Sequence, residues 1–188
     1  KTAHVIEIAD VGNESIQDKT FRYYTMERAE YDLTAFLNRN EVSIQQRFLL
    51  CYQMIQCIEA LHDIGIYHRD IKPGNFLFVG DTWKIADLGL VARRDEDDAA
   101  LDGEREKIGP RGYLSPEALN KWLSRQPVPP TIDDRSDVFQ LATVLGYVLK
   151  GELLTGIIAP PDVASCDATG GLFHVLEKAF QYSKDRRC

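Results

Sequence analysis

His68-Arg69-Asp70-Ile71-Lys72-Pro73-Gly74-Asn75, with Asp87-Leu88-Gly89 a short way downstream, sets carboxylates, a carboxamide and an ammonium on two neighbouring loops. The runs 76–79 and 83–86, joined by Gly80-Asp81, read as two short strands that bring the loops side by side. Phosphoryl transfer needs such a set: a carboxylate near the attacking hydroxyl, oxygen ligands for Mg²⁺, and a cation at the transferring group. Six specified residues within eight positions arise by chance in on the order of one chain in 10⁶, at roughly one in twenty per position.

Working outward, a long helix precedes the loop. Ser43 is its N-cap, the apolar positions Ile44, Phe48, Cys51, Tyr52, Ile55, Ile58 and Leu61 step by three and four, and Gly65 is its stop. Nearer the N-terminus, residues 4–8 and 20–27 are rich in β-branched and aromatic types. They read as two antiparallel strands around a polar turn containing Gly12 and Asn13, with the later helices available to cover them. Beyond the second loop, helices are expected from about Pro116, over 137–150 and over 172–182. Gln126-Pro127-Val128-Pro129-Pro130 is a short stiff spacer.

The chain has 188 residues, 44% of them hydrophobic and 27% charged, enough to bury a sizeable core. Its net charge of −7 argues against broad nucleic-acid binding, since no basic excess is present to neutralise phosphates. The most apolar stretch, 138–159, is interrupted by Gln140, Lys150 and Glu152, which makes it a buried helix and its continuation rather than a membrane span. Cysteines 51, 57, 166 and 188 have no metal-ligand or CxxC spacing and read as reduced thiols of a cytoplasmic protein. His4, His62 and His174 are scattered and read as surface or core histidines rather than ligands.

The arrangement resembles the eukaryotic-type protein kinases. His68-Arg69-Asp70 with Asn75 resembles the catalytic loop (68–75), Asp87-Leu88-Gly89 the magnesium-binding turn, and Ser115-Pro116-Glu117 the end of the activation segment (87–117). Asp137 matches the aspartate that opens the central buried helix, and Arg187 the arginine that pairs with the Pro-Glu glutamate, a buried tie rather than chemistry. The resemblance implies a mainly α fold, a helical bundle with short β-hairpins like a kinase C-lobe. Residues 1–28 are the last two strands of an N-lobe and the hinge; residues 29–188 are the C-lobe, truncated at its C-terminus.

Carried over in the same way, Asp70 accepts or orients the substrate hydroxyl, Lys72 contacts the γ-phosphate, and Asn75 and Asp87 hold Mg²⁺. His68 packs rather than titrates. Met26 is the gatekeeper beside the adenine, Glu27 C=O and Ala29 N–H bond its edge, and Leu77 packs beneath the ring. ATP and Mg²⁺ are thus the expected cofactors and a protein hydroxyl the expected substrate. The lysine two residues after Asp70 resembles the serine/threonine class. A pseudokinase scaffold without phosphotransfer and an aminoglycoside-type small-molecule phosphotransferase are the alternatives.

Departures from the family pattern carry expectations too. The glycine-rich loop, the strand lysine and its helix glutamate do not occur in 1–188, so the chain reads as a piece of a longer protein, inactive in isolation. Leu88 stands where phenylalanine is usual, an exchange of one apolar packer for another. Pro110 stands where a threonine is usual in Gly109-Pro110-Arg111-Gly112-Tyr113. Between Asp87 and Gly112 there is no Ser, Thr or Tyr, so this loop offers no phosphate acceptor for Arg69. Residues 95–106 instead hold seven acids and one base, a net of −6 that leaves −1 for all the rest, and Glu104 or Glu106 is expected in the Arg69 pocket.

Overall fold

A computed structural model describes residues 3–94, 109–110, 112–123, 131–154 and 158–187. The expectations placed on the acidic run 95–106 and on the proline-rich spacer 126–130 lie outside the described residues. Strand β1 (Ile8–Ile16) and strand β2 (Lys19–Met26) form an antiparallel hairpin. Its turn is not at Gly12-Asn13, which stay in the ladder opposite Tyr23 and Arg22. The chain reverses at Gln17-Asp18, both at positive φ (47° and 63°), the backbone sign that matches strand twist in a two-residue hairpin. Gly12 instead makes room for an aromatic ring. A Cβ there would lie 2.6 Å from the Tyr23 ring, so the bare Cα lets that ring cross the ribbon.

Residues 4–6 also depart from expectation. They bridge to the strand containing Ile85, with Ile6 N–H donating to Ile85 C=O and Ile85 N–H to His4 C=O, both at 2.9 Å. This anchors the base of the hairpin while its blades project. Every residue of β1 and β2 except Gly12 is exposed, so the following helices do not cover it.

Strand β3 (Tyr31–Asp32) runs directly into helix α1 (Leu33–Arg39), because the Asp32 side chain accepts the Ala35 N–H at 2.8 Å and caps the first turn. Helix α2 (Ile44–His62) starts where the sequence indicates: Ser43 and Gln46 form a reciprocal capping box. The buried face differs. Leu50, Cys51, Met54, Cys57, Ile58 and Leu61 are buried, whereas Phe48 and Tyr52 are 40% and 58% exposed. What turns the helix is its neighbours in the core, Val144, Val148 and Trp83. Each large apolar side chain so buried contributes about 2 kcal/mol.

Strand β4 (Ile66–Tyr67) precedes the first loop; strands β5 (Phe76–Val79) and β6 (Thr82–Ile85) form the expected hairpin, joined at its edge by β3. Tyr31, Phe78 and Trp83 pack there, the first two stacked at 5.0 Å. Strand β7 (Ala92–Arg93) returns to pair with β4. Helix α3 (Pro116–Leu123) follows the second loop region.

Helix α4 (Asp134–Lys150) crosses the core against α2. It begins three residues earlier than expected because Asp133 caps it, so Asp137 sits in its first turn rather than at its start. Short helix α5 (Pro160–Val163) and helix α6 (Gly171–Ala179) complete the order. Among the described residues, no helix is long and apolar enough to cross a membrane.

The Glu117–Arg187 tie is present. Arg187 grips the carboxylate with two N–H groups, at 2.6 and 2.8 Å, and directs its other donors to the carbonyls of Arg135, Gln181 and Tyr182 while lying over the Phe139 ring. Ser136 Oγ donates to the same carboxylate at 2.6 Å. Burial alone would push the Glu117 carboxyl up, but the bonds from Arg187 and Ser136 hold it below its ordinary value.

Glu117→Gln strands the buried guanidinium and is expected to lower unfolding free energy by about 3 kcal/mol in urea titration. Since the folded carboxyl binds its proton less readily than the unfolded one, the contribution is complete above about pH 4.3 and is lost as pH falls through the folded value. Burial pushes the thiols of Cys51 and Cys57 to about 12, and they donate to Leu145 C=O and Trp83 C=O. Native alkylation at pH 8 therefore modifies half-buried Cys166 before either of them, as read by peptide mass spectrometry.

Candidate active site

The loop between β4 and β5 is built by α4. Asp137, fully buried, accepts the His68 N–H with Oδ2 at 2.7 Å and the Arg69 N–H with Oδ1 at 2.8 Å. His62 Nε2 lies 2.9 Å from the same Oδ2. Three donors thus surround a carboxylate that burial would otherwise penalise by several kcal/mol. They fix the peptide planes that lead into Arg69, whose φ of +66° is a left-handed conformation that costs an L residue about 1–2 kcal/mol.

That conformation turns the next residue, Asp70, and lets its N–H reach His68 Nδ1 at 3.2 Å. His68 Nε2 then carries the ring proton and donates to Ala86 C=O at 2.9 Å. This supports a packing role for the ring, which is completely buried. Because Ala86 immediately precedes Asp87, the imidazole locks one loop to the other. Ala86 N–H adds a second link, donating to Asn75 C=O at 2.8 Å.

Within the loop, Lys72 Nζ lies 2.7 Å from Asp70 Oδ2 and Asn75 Nδ2 3.1 Å from the same oxygen, while Nδ2 also donates to Asp70 C=O at 2.8 Å. A single turn of 3₁₀ helix, Pro73–Asn75, delivers the amide, with Pro73 at a position where the missing N–H costs nothing. Asp87 is also left-handed, at φ 61° and ψ 66°, and is exposed to solvent. The structure therefore brings Asp70, Lys72 and Asn75 into direct contact and sets Asp87 on the adjoining turn.

The donor set fits Mg²⁺. With Nδ2 of Asn75 committed to Asp70, its Oδ1 is the atom that can act as a ligand, and the Asp87 carboxylate is the second oxygen source. Mg²⁺ commonly takes one or two protein oxygens together with phosphate and water.

The residues expected around an adenine are gathered less tightly. Met26 ends β2 and is 41% exposed. Glu27 Oε1 accepts from Glu7 N–H at 2.8 Å and from Lys84 Nζ at 2.6 Å. Lys84 stands opposite Leu77 in the β5–β6 ladder, so this ion pair brings the Glu27 segment to the strand that carries Leu77. Ala29 is half-buried beside it, and Glu30 N–H fastens the segment to Phe78 C=O at 2.9 Å. A groove of about 360 Å³ elsewhere, lined by Pro116, Phe139, Ile158 and Phe180, contains none of the loop residues.

Arg69 Nε donates to Leu90 C=O at 2.6 Å, which orients the guanidinium toward the segment after Asp87. Glu104 and Glu106 lie outside the described residues. Two loop-bracing side chains are not evident from the sequence. His62 reads there as one scattered histidine among others, and Gln140 only as a polar break in an apolar run; its spacing of three from Asp137 on one helix is the available signal.

Comparison with known proteins agrees with this geometry. The protein kinase domain model matches residues 1–164. The chain is 37% identical over 148 residues to the serine/threonine-protein kinase MPS1 of Saccharomyces cerevisiae, covering 69% of this chain and 18% of that protein. It is 27% identical over 133 residues to the dual specificity protein kinase TTK of Mus musculus, covering 69% and 15%. Against mitogen-activated protein kinase 12 of Mus musculus, identity is 27% over 154 residues, 80% of this chain and 38% of that protein. The chain thus spans well under two thirds of the length of these relatives. On the loop geometry and these matches together, the chain belongs to the eukaryotic-type protein kinase domain family.

Proposed function

We propose that the chain is the catalytic-loop half of an ATP-dependent serine/threonine protein kinase. On this reading residues 1–28 are the end of the N-lobe and the hinge, and residues 29–188 are the C-lobe. The observation that carries it is the joined pair of loops: Asp70 braced by Lys72 and Asn75, with Asp87 one backbone link away through Ala86 and His68. The exposed β1–β2 hairpin supports the lobe assignment, because a ribbon with both faces exposed is the kind of surface that further strands cover.

In this assignment the Asp70 carboxylate orients the attacking hydroxyl and takes its proton. The Lys72 ammonium, within reach of Asp70, swings to the γ-phosphoryl group and offsets the charge gathering there. Asn75 Oδ1 and the Asp87 carboxylate hold Mg²⁺, whose charge supports the phosphates. Met26, the Glu27 C=O, the Ala29 N–H and Leu77 form the adenine slot. The names of the yeast and mouse relatives, serine/threonine-protein and dual specificity protein kinase, support a protein hydroxyl as acceptor. Lys72 favours the serine/threonine class, and Pro110 removes an N–H and a hydroxyl that a threonine would bring.

In the complete protein, Asp70→Asn removes the proton acceptor while keeping the side chain's size. Peptide phosphorylation is expected to fall by about 10³-fold, with Mg·ATP affinity and thermal unfolding little changed. Unchanged turnover would refute the role of Asp70. A wild-type protein that binds Mg·ATP yet transfers no phosphate would instead establish a scaffold.

A further inference from the structure

Gln140 is completely buried, on α4 one turn beyond Asp137. Its carboxamide spans the residue at the centre of the loop. Oε1 accepts the Ile71 N–H at 2.7 Å, and Nε2 donates to Arg69 C=O at 3.1 Å. These two peptide groups flank Asp70 on either side. Asp137 already holds the Arg69 N–H, so both polar groups of the left-handed Arg69 backbone are fixed by side chains of a single helix.

The far side of this clamp is closed by Gly109. A Cβ built on Gly109 would stand 2.9 Å from Gln140 Nε2, 2.9 Å from Leu114 Cδ2 and 3.2 Å from Arg69 O. Only a glycine, at φ +112°, lets the backbone lie against the Gln140–Arg69 bond. The bond is thereby dry, and a dry hydrogen bond between neutral groups is costly to leave half made.

We propose that Gln140 is a positioning residue for phosphoryl transfer: its carboxamide fixes the two peptides around Asp70, and Gly109 seals it. The proposal rests on the reading of Asp70 as the catalytic carboxylate. Neither side of the clamp touches Asp70's own carboxylate, so its loss acts on the direction of that group rather than on its chemistry. Lys72, Asn75 and Asp87 remain to receive nucleotide. The expected signature is therefore a loss in kcat at constant nucleotide affinity.

Gln140→Met keeps the volume and removes both bonds. Gln140→Glu keeps the acceptor for Ile71 N–H and turns a second acceptor toward Arg69 C=O. Both are compared with wild type in the complete protein by peptide phosphorylation, Mg·ATP binding and native-state amide exchange. Gln140→Met is expected to lower kcat by about ten- to a hundred-fold, to leave the Mg·ATP dissociation constant within about two-fold, and to speed Ile71 exchange by about ten-fold at least. In Gln140→Glu, Ile71 stays protected while kcat still falls. Gly109→Ala should reproduce the kcat loss by pushing on the same bond.

The proposal is overturned if Gln140→Met leaves both kcat and Ile71 exchange unchanged. It is equally overturned if kcat falls only in step with Mg·ATP affinity and with general loss of amide protection, the mark of a merely structural residue. Should wild type transfer no phosphate, the reading of Asp70 fails, and the exchange data alone decide the clamp: faster Ile71 exchange in Gln140→Met upholds it, unchanged exchange removes it.

Discussion

A buried carboxylate on α4, that of Asp137, is the point from which the loop 68–75 hangs. It has no exposure, and it is tolerable there only because three donors from two segments converge on it: the His68 and Arg69 amides and the His62 ring. Satisfying the carboxylate and shaping the loop are one event. With the two amides so held, the backbone turns left-handed at Arg69, and that turn sets the direction of Asp70. A chain of contacts runs on through His68 to Ala86 and so to Asp87, each link between 2.7 and 3.2 Å.

Helix α4 also fixes the Glu117–Arg187 tie. Ser136, next to Asp137, donates to Glu117, whose carboxylate is gripped by Arg187. One helix therefore carries the loop 68–75 and the start of α3 through neighbouring residues on its first turn. Its apolar side, Val144 and Val148, rests on α2, so the core determines where these polar attachments stand. In contrast, the β1–β2 hairpin is held at its base, by residues 4–6 and by Glu27, while its faces meet solvent.

What is legible in the sequence depends on the range of the interaction. The loop motif, the Ser43–Gln46 capping box, the β5–β6 hairpin and the pairing of Glu117 with Arg187 are visible because local chemistry or the family pattern specifies them. The kinase resemblance is upheld by the domain match. The face of α2 is not legible, because Val144 and Trp83, far away in the chain, choose which side is buried. Composition points to a first turn at Gly12-Asn13, whereas the glycine there serves the Tyr23 ring and Gln17-Asp18 make the reversal. Helix α4 starts early because an Asp at 133 caps it, a signal masked by a run of charged residues around it. Gln140 is invisible as a loop residue, since its partners at 69 and 71 are assigned only by the packing of α4 against the loop.

The shape of the loop 68–75 depends first on Asp137, and amide hydrogen exchange in an Asp137→Asn variant tests that dependence most directly. An asparagine offers one acceptor where two are used and points N–H donors at N–H donors. The His68 and Arg69 amides should then exchange about ten- to a hundred-fold faster, while those of the α2 interior and the β5–β6 ladder keep their protection. Unchanged exchange at His68 and Arg69 would contradict this role for Asp137, as would an equal rise across α2 and β5–β6.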